Sequence, residues 1–325
     1  MERLLITAIV LAIPVYFYTS SLANIDRFEK KPLPSLINAF ACGSILAITF
    51  DQILPYIFPI SATPIFSEAT WEDNPLKALI GIAVTQETLK GILVAIIYLR
   101  CRREFNGWVD GIVYGATLGL GFAYVDNIFD LTSQTQTWEE WIQVFFSHSI
   151  VFCGMEAFWA ALVGIGFGFA RYTHVTSQKV MLILGGLIAA ILAHVIHNIA
   201  LILLQEKLWL MSLFNYMALA LLTILLLLVN RYIARQQLRI YLSDEVPDFL
   251  SFECYEALCL SNSNTFTFLG MSREQRRALF QVAENLVQKK MQLIEMGTSG
   301  SYSVEIAGLR QELRRLGNGD WGVDI

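Results

Sequence analysis

Several side chains able to do chemistry sit inside stretches that are otherwise apolar. Gln86, Glu87 and Lys90 fall in the run Thr85-Gln86-Glu87-Thr88-Leu89-Lys90; Asp126 and Asn127 close Tyr124-Val125-Asp126-Asn127; His148 and Glu156 share the next stretch; and His194, His197 and Asn198 share another. A carboxylate stripped of water beside an imidazole can move a proton to and from a water molecule, while His and Asn can donate hydrogen bonds to a developing oxyanion. The same groups would serve a proton relay or a cation site. Helical spacing sharpens the choice. Gln86 and Lys90 stand one turn apart, Glu87 lies three residues before Lys90, and His194 and Asn198 share a face. An internal Glu87–Lys90 ion pair is the plain alternative to a catalytic Glu87. A single histidine in a helix commonly packs as a hydrogen-bonded residue, but two with an asparagine so close together ask for more.

The elements that must hold these groups are membrane helices. Of 325 residues, 55% are hydrophobic and 16% charged, with a mean hydropathy of +0.52; a soluble domain carries about 25% charged residues. The net charge of −5 gives a nucleic-acid partner no electrostatic support. The glycines show no triplet period, and five cysteines are too few for a disulfide scaffold. Apolar runs near 4–22, 33–60, 76–99, 107–131, 142–170, 179–204 and 208–230 are each long enough to cross a bilayer. The expected fold is therefore all-α: a polytopic bundle of about seven transmembrane helices over 1–239, with a soluble helical tail over 240–325.

Charge between the runs predicts their direction. Arg27, Lys30 and Lys31 follow the first, Arg100, Arg102 and Arg103 the third, Arg171 and Lys179 the fifth, and Arg231, Arg235 and Arg239 the last. Glu68, Glu72 and Asp73 mark the second connection, and Glu139 and Glu140 the fourth; the sixth holds Glu206 with Lys207. The positive-inside rule then puts the N-terminus outside and the tail in the cytoplasm, where Cys254 and Cys259 should be free thiols. The first run lacks a small-residue cleavage pattern and is expected to be a retained span. Trp71, Trp138, Trp141 and Trp209 fall near predicted outer ends, as interfacial anchors do.

Gly111, Gly115 and Gly119 recur every four residues, Gly121 follows, and Gly164 and Gly168 repeat the spacing. Such stripes first mean close helix packing. Close packing also holds polar groups of different helices in register. At about 1.5 Å per residue, Glu87, Glu156 and His194 reach similar depths in the outer half of the membrane, with Asp126 nearer the surface.

The run Asp110-Gly111-Ile112-Val113-Tyr114-Gly115-Ala116-Thr117-Leu118-Gly119-Leu120-Gly121-Phe122-Ala123-Tyr124-Val125-Asp126-Asn127 closely resembles the hallmark fourth-helix segment of the PrsW family of intramembrane proteases, relatives of the CAAX prenyl endopeptidases. Gln86-Glu87-Thr88-Leu89-Lys90 resembles that family's Glu-Glu-x-x-Lys motif, and His194-Val195-Ile196-His197-Asn198 its His-x-x-x-Asp/Asn motif. Gly164-Ile165-Gly166-Phe167-Gly168-Phe169-Ala170-Arg171 is similar to the helix after the third-motif His, and the match covers about 1–235. The resemblance implies an intramembrane endopeptidase whose first acid activates water. Three positions depart from the pattern: Gln86 replaces that acid and cannot act as a base, the third-motif His falls on Glu156, and the Glu before Asn is shortened to Asp126. Glu87, Lys90, His194 and Asn198 stand as the pattern asks. Because relatives have been described as metalloproteases, zinc is weighed on His194, His197 and a distant Glu. No His-Glu-x-x-His helix accompanies them, and the expectation is a site without metal or other cofactor.

In the tail, a short helix is expected around 252–260 after Pro247. Ser272 with Gln275 has the form of a capping box opening a helix to about Met296, with Leu279, Val282, Leu286 and Leu293 on one face. A second helix over 304–316, with Ile306, Leu309, Leu313 and Leu316, completes a hairpin; docking of a partner is the alternative use of these faces. The functional expectations are a PrsW-type endopeptidase with Glu87, Glu156, His194, Asn198 and Asp126 at the centre, supported by Gln86, Lys90, Asn127 and His197; a pseudoprotease that binds transmembrane clients without cutting them; and, with least support, proton or ion translocation. The expected partners are the lipid bilayer and a membrane-tethered protein.

Overall fold

A backbone without water around it must satisfy its own N–H and C=O groups, so long apolar runs between short polar connections fold as helices. The computed structural model describes residues 2–23, 32–50, 75–102, 104, 105, 107–133, 135–171, 173, 175–203, 217, 228, 232–260, 270–296 and 300–317, with helices and no strand among them. The chain divides into two compact units, Met1–Leu219 and Ala220–Ile325, each described by itself.

In the first unit, α1 is Glu2–Ala23, α2 Leu33–Ile48, α3 Pro75–Arg100, α4 Trp108–Ser133, α5 Trp138–Phe146, α6 Cys153–Ala170 and α7 Thr176–Leu203. Five helices among the described residues are long and apolar enough to cross a membrane, and α2 is apolar but shorter. The expected seventh span at 208–230, the end of the second span and the 61–74 connection lie outside the described residues, apart from 217 and 228. The expected fifth span, 142–170, is helical throughout. A π-helical turn, Ser147–Phe152, separates α5 from α6.

Helix α4 is the centre of this unit, packing against α1, α2 and α6. The small-residue stripe makes this approach: a Cβ at Gly119 would overlap the Glu156 carbonyl, and one at Gly111 the Gly164 carbonyl. The core between them holds Tyr114, Leu118, Trp159 and Val163.

Hydrogen bonds show which connections share an end. Arg3 donates to the Thr135 carbonyl at 2.7 Å, bringing the start of α1 to the α4–α5 connection. At the other end, Ser35 donates to Glu104 at 2.8 Å, and Arg171 donates to the Phe105 and Arg102 carbonyls at 3.0 and 2.9 Å. Arg171, counted by the sequence as a surface flank, is 1% exposed and ties α6 to the 101–107 connection. Trp141 likewise departs from its expected role as an interfacial anchor. It is 7% exposed, and its indole N–H donates to Thr7 Oγ at 3.0 Å, because the amphipathic α5 turns that ring inward onto α1.

In the second unit, helices over 232–242, α8 (Phe252–Leu260), α9 (Arg273–Met296) and α10 (Gly300–Gly317) are described. The capping box is present and reciprocal: Ser272 N–H donates to Gln275 Oε1 at 2.7 Å, and Gln275 N–H to Ser272 Oγ at 3.2 Å. Leu279, Val282 and Leu286 of α9 and Ile306, Leu313 and Leu316 of α10 are buried, and the two helices pack together. Glu245, fully buried in the turn after 232–242, accepts three hydrogen bonds from Arg310, the shortest at 2.8 Å, and pairs with Lys290. Cys254 and Cys259 are free thiols, and burial pushes the Cys259 thiol up.

Candidate functional site

Three helices deliver the polar groups and a fourth closes over them. From α3, Lys90 donates to Glu87 Oε1 at 2.8 Å and, across the bundle, to Glu156 Oε2 of α6. From α7, His194 Nδ1 lies 2.8 Å from the same Glu87 Oε1. Glu87 and Lys90 have fully buried side chains, and His194 is 6% and Glu156 9% exposed. Aromatic rings complete the enclosure. Trp159 stacks on the His194 imidazole with centroids 3.8 Å apart and planes 10° from parallel. The Lys90 ammonium lies 4.5 Å from the centre of the Phe122 ring of α4. An unpaired charge here would cost several kcal/mol, and these contacts are what let the charges stay.

The ion pair weighed from the sequence thus exists, and it is larger than a pair. Of the two acids expected at the centre, Glu87 is the one that meets His194, and Glu156 shares Lys90. A carboxylate can only accept, so His194 Nδ1–H is the donor. Glu87 Oε2 is buried and accepts no hydrogen bond among the described residues.

The other expected residues fall around this cluster. Gln86 is 8% exposed, one residue before Glu87. Asn198, one turn after His194 on α7, donates from its amide to the Leu79 carbonyl at 3.2 Å and so fastens α7 to α3. His197 turns its ring against Trp159 and Phe152 at 5.2 and 5.7 Å. Asn127 donates to the Ala123 carbonyl at 2.7 Å and to Cys153 Sγ at 3.3 Å, so it ties α4 to α6. Asp126 is half-buried beside it. His148, in the π-helical turn, contacts the Val144 carbonyl and lies 3.8 Å from Asp130.

Sequence reasoning missed Trp159 and Phe122. Trp159 lies three residues after Glu156, one turn along the same face, a spacing that could have flagged it. Phe122 follows the glycine stripe directly, and only the packing of α4 puts its ring under Lys90.

The fold and this cluster define a class: a polytopic helical membrane protein with a buried acid–imidazole site shared by several helices. Comparison with known families makes it particular. The model of the PrsW family, described as intramembrane metalloproteases, matches residues 31–229, and the chain belongs to that family. Similar proteins include Protease PrsW of Oceanobacillus iheyensis, 30% identical over 52% of this chain and 70% of that protein; Protease PrsW of Geobacillus kaustophilus, 26% identical over 48% and 61%; and Protease PrsW of Clostridioides difficile, 23% identical over 38% and 50%. No solved structure matches the chain.

The family description includes a metal, and the donors here do not fit one. Among the described residues no three His, Cys, Asp or Glu side chains are grouped to hold an ion. His194 Nδ1 is committed to Glu87, and the Lys90 ammonium lies where an ion bridging Glu87 and Glu156 would have to sit.

Proposed function

We propose that this protein is an intramembrane endopeptidase that cuts membrane-tethered proteins near the external face of the membrane, with His194 as the proton acceptor for the attacking water. The observation that carries this reading is the buried 2.8 Å contact between His194 Nδ1 and Glu87. A carboxylate on Nδ1 fixes the tautomer and leaves Nε2 basic, the arrangement that makes imidazole a general base. Nε2 takes a proton from water as the water oxygen bonds to the peptide carbonyl carbon. It returns that proton to the leaving amine as the C–N bond breaks. Trp159 fixes the plane of the ring. Gln86 needs no basicity in this scheme.

A second reading, a pseudoprotease that holds transmembrane clients, is favoured by Gln86 itself, which replaces the acid of the family pattern. The two separate in proteoliposomes carrying a membrane-tethered test substrate. Under the first, the unmodified protein cuts, His194→Ala does not, and Gln86→Glu gives no gain because His194, not residue 86, takes the proton. Under the second, the unmodified protein binds without cutting, and Gln86→Glu gains cleavage.

A further inference from the structure

The disagreement between the donor set and a metal has a physical cause. Two carboxylates from different helices, Glu87 and Glu156, converge in a site closed by Phe122 and Trp159. Buried acids need a countercharge, which a divalent ion supplies in many such sites. Here the Lys90 ammonium touches both acids and meets the Phe122 ring at 4.5 Å and the Trp159 ring at 5.8 Å. Its three donors suit this geometry, two toward oxygens and the rest of the charge toward ring faces. Zinc needs four ligands at about 2.0–2.3 Å, and the ammonium keeps an ion from reaching both acids at such a distance.

We infer that Lys90 is a built-in substitute for a divalent cation, so that the site balances its carboxylates internally and binds no metal while Lys90 is present. The inference concerns the cluster's electrostatics and holds whether or not the protein cuts peptide bonds. Removing only the charge should open the space between the acids: Lys90→Met keeps the length and leaves Glu87 and Glu156, two carboxylates from different helices, without the ammonium between them.

The test uses the full-length protein in nanodiscs, with zinc and manganese as probes. Metal content after dialysis against buffered metal is measured by mass spectrometry, and binding by calorimetry. The expected result is no stoichiometric ion in the unmodified protein or in Lys90→Arg. Lys90→Met should bind zinc at least about tenfold more tightly than the unmodified protein, a difference of about 1.4 kcal/mol, and adding Glu156→Gln should abolish the gain. Stoichiometric zinc in the unmodified protein, lost on His194→Ala or Glu87→Gln, would overturn the inference. So would a folded Lys90→Met protein that gains no affinity for either ion. If Lys90→Met is not recovered folded, the metal content of the unmodified protein and of Lys90→Arg decides by the same criteria. Peptide cleavage is read separately, so failure of the protease reading leaves these outcomes unchanged.

Discussion

At the scale of single residues, His194 is held by two different forces, a hydrogen bond to Glu87 and the face of Trp159. They predict different losses. If His194 is the proton acceptor proposed above, His194→Ala should lower cleavage of a tethered substrate by about 10²–10⁴-fold, the usual worth of a general base. Trp159→Leu leaves the proton acceptor in place but frees the ring, so kcat should fall with KM little changed. Equal losses in binding and turnover would show that Trp159 shapes the substrate groove instead. Lys90 works through charge, and its loss leaves two buried carboxylates unbalanced. Lys90→Met should therefore destabilise the membrane unit by about 3–5 kcal/mol without added metal, the cost of breaking a buried pair, seen as a lower Tm in nanodiscs.

At the scale of elements, the glycine stripe is what sets the position of Glu156. Gly119 packs where any Cβ would meet the Glu156 carbonyl backbone, which cannot swing aside as a flexible side chain can. Gly119→Ala should thus push α6 from α4 and draw Glu156 away from Lys90, lowering both stability and cleavage. Gly185→Ala is the control, since a Cβ there meets nothing within 4 Å. In the tail, Ser272→Ala removes one half of the capping box, a loss of about 1 kcal/mol in α9, measurable by hydrogen exchange over the first turn.

At the scale of the whole molecule, the ends that share hydrogen bonds agree with the alternation of charge. The Arg3–Thr135 contact puts the α4–α5 connection at the N-terminal end, and the Ser35–Glu104 bond puts the 101–107 connection at the other. With the positive-inside rule, a reporter at residue 136 should lie outside, and reporters at residue 104 and after Arg239 should lie in the cytoplasm. A reporter at residue 136 in the cytoplasm, or one at residue 104 or after Arg239 outside, would refute the assignment. In the second unit, Glu245→Gln removes the acid shared by Lys290 and Arg310. Arg310 is 35% exposed, so solvent takes up part of the loss and the expected cost is about 2 kcal/mol, below that of a fully buried pair.

Composition and periodicity alone determined that the chain is helical, that most of its helices suit a membrane, and where α8 and α9 lie in the tail, whereas α10 starts at Gly300, four residues before its expected start. These features are local: a run of apolar residues or a Ser272–Gln275 box acts on its own stretch of backbone. The residue types of the candidate site were legible too, since a polar group in an apolar run stands out wherever it will point. Their partners were not. Glu87 and Glu156 are both acids at similar depth, and nothing in the linear order says which will meet His194 and which will meet Lys90 alone. That choice depends on how far α4 lets α6 approach, on the π-helical turn at 147–152, and on the bond that fastens Asn198 to Leu79. Each is a contact between residues distant in sequence or a local departure from helical period, which only the packed structure could decide.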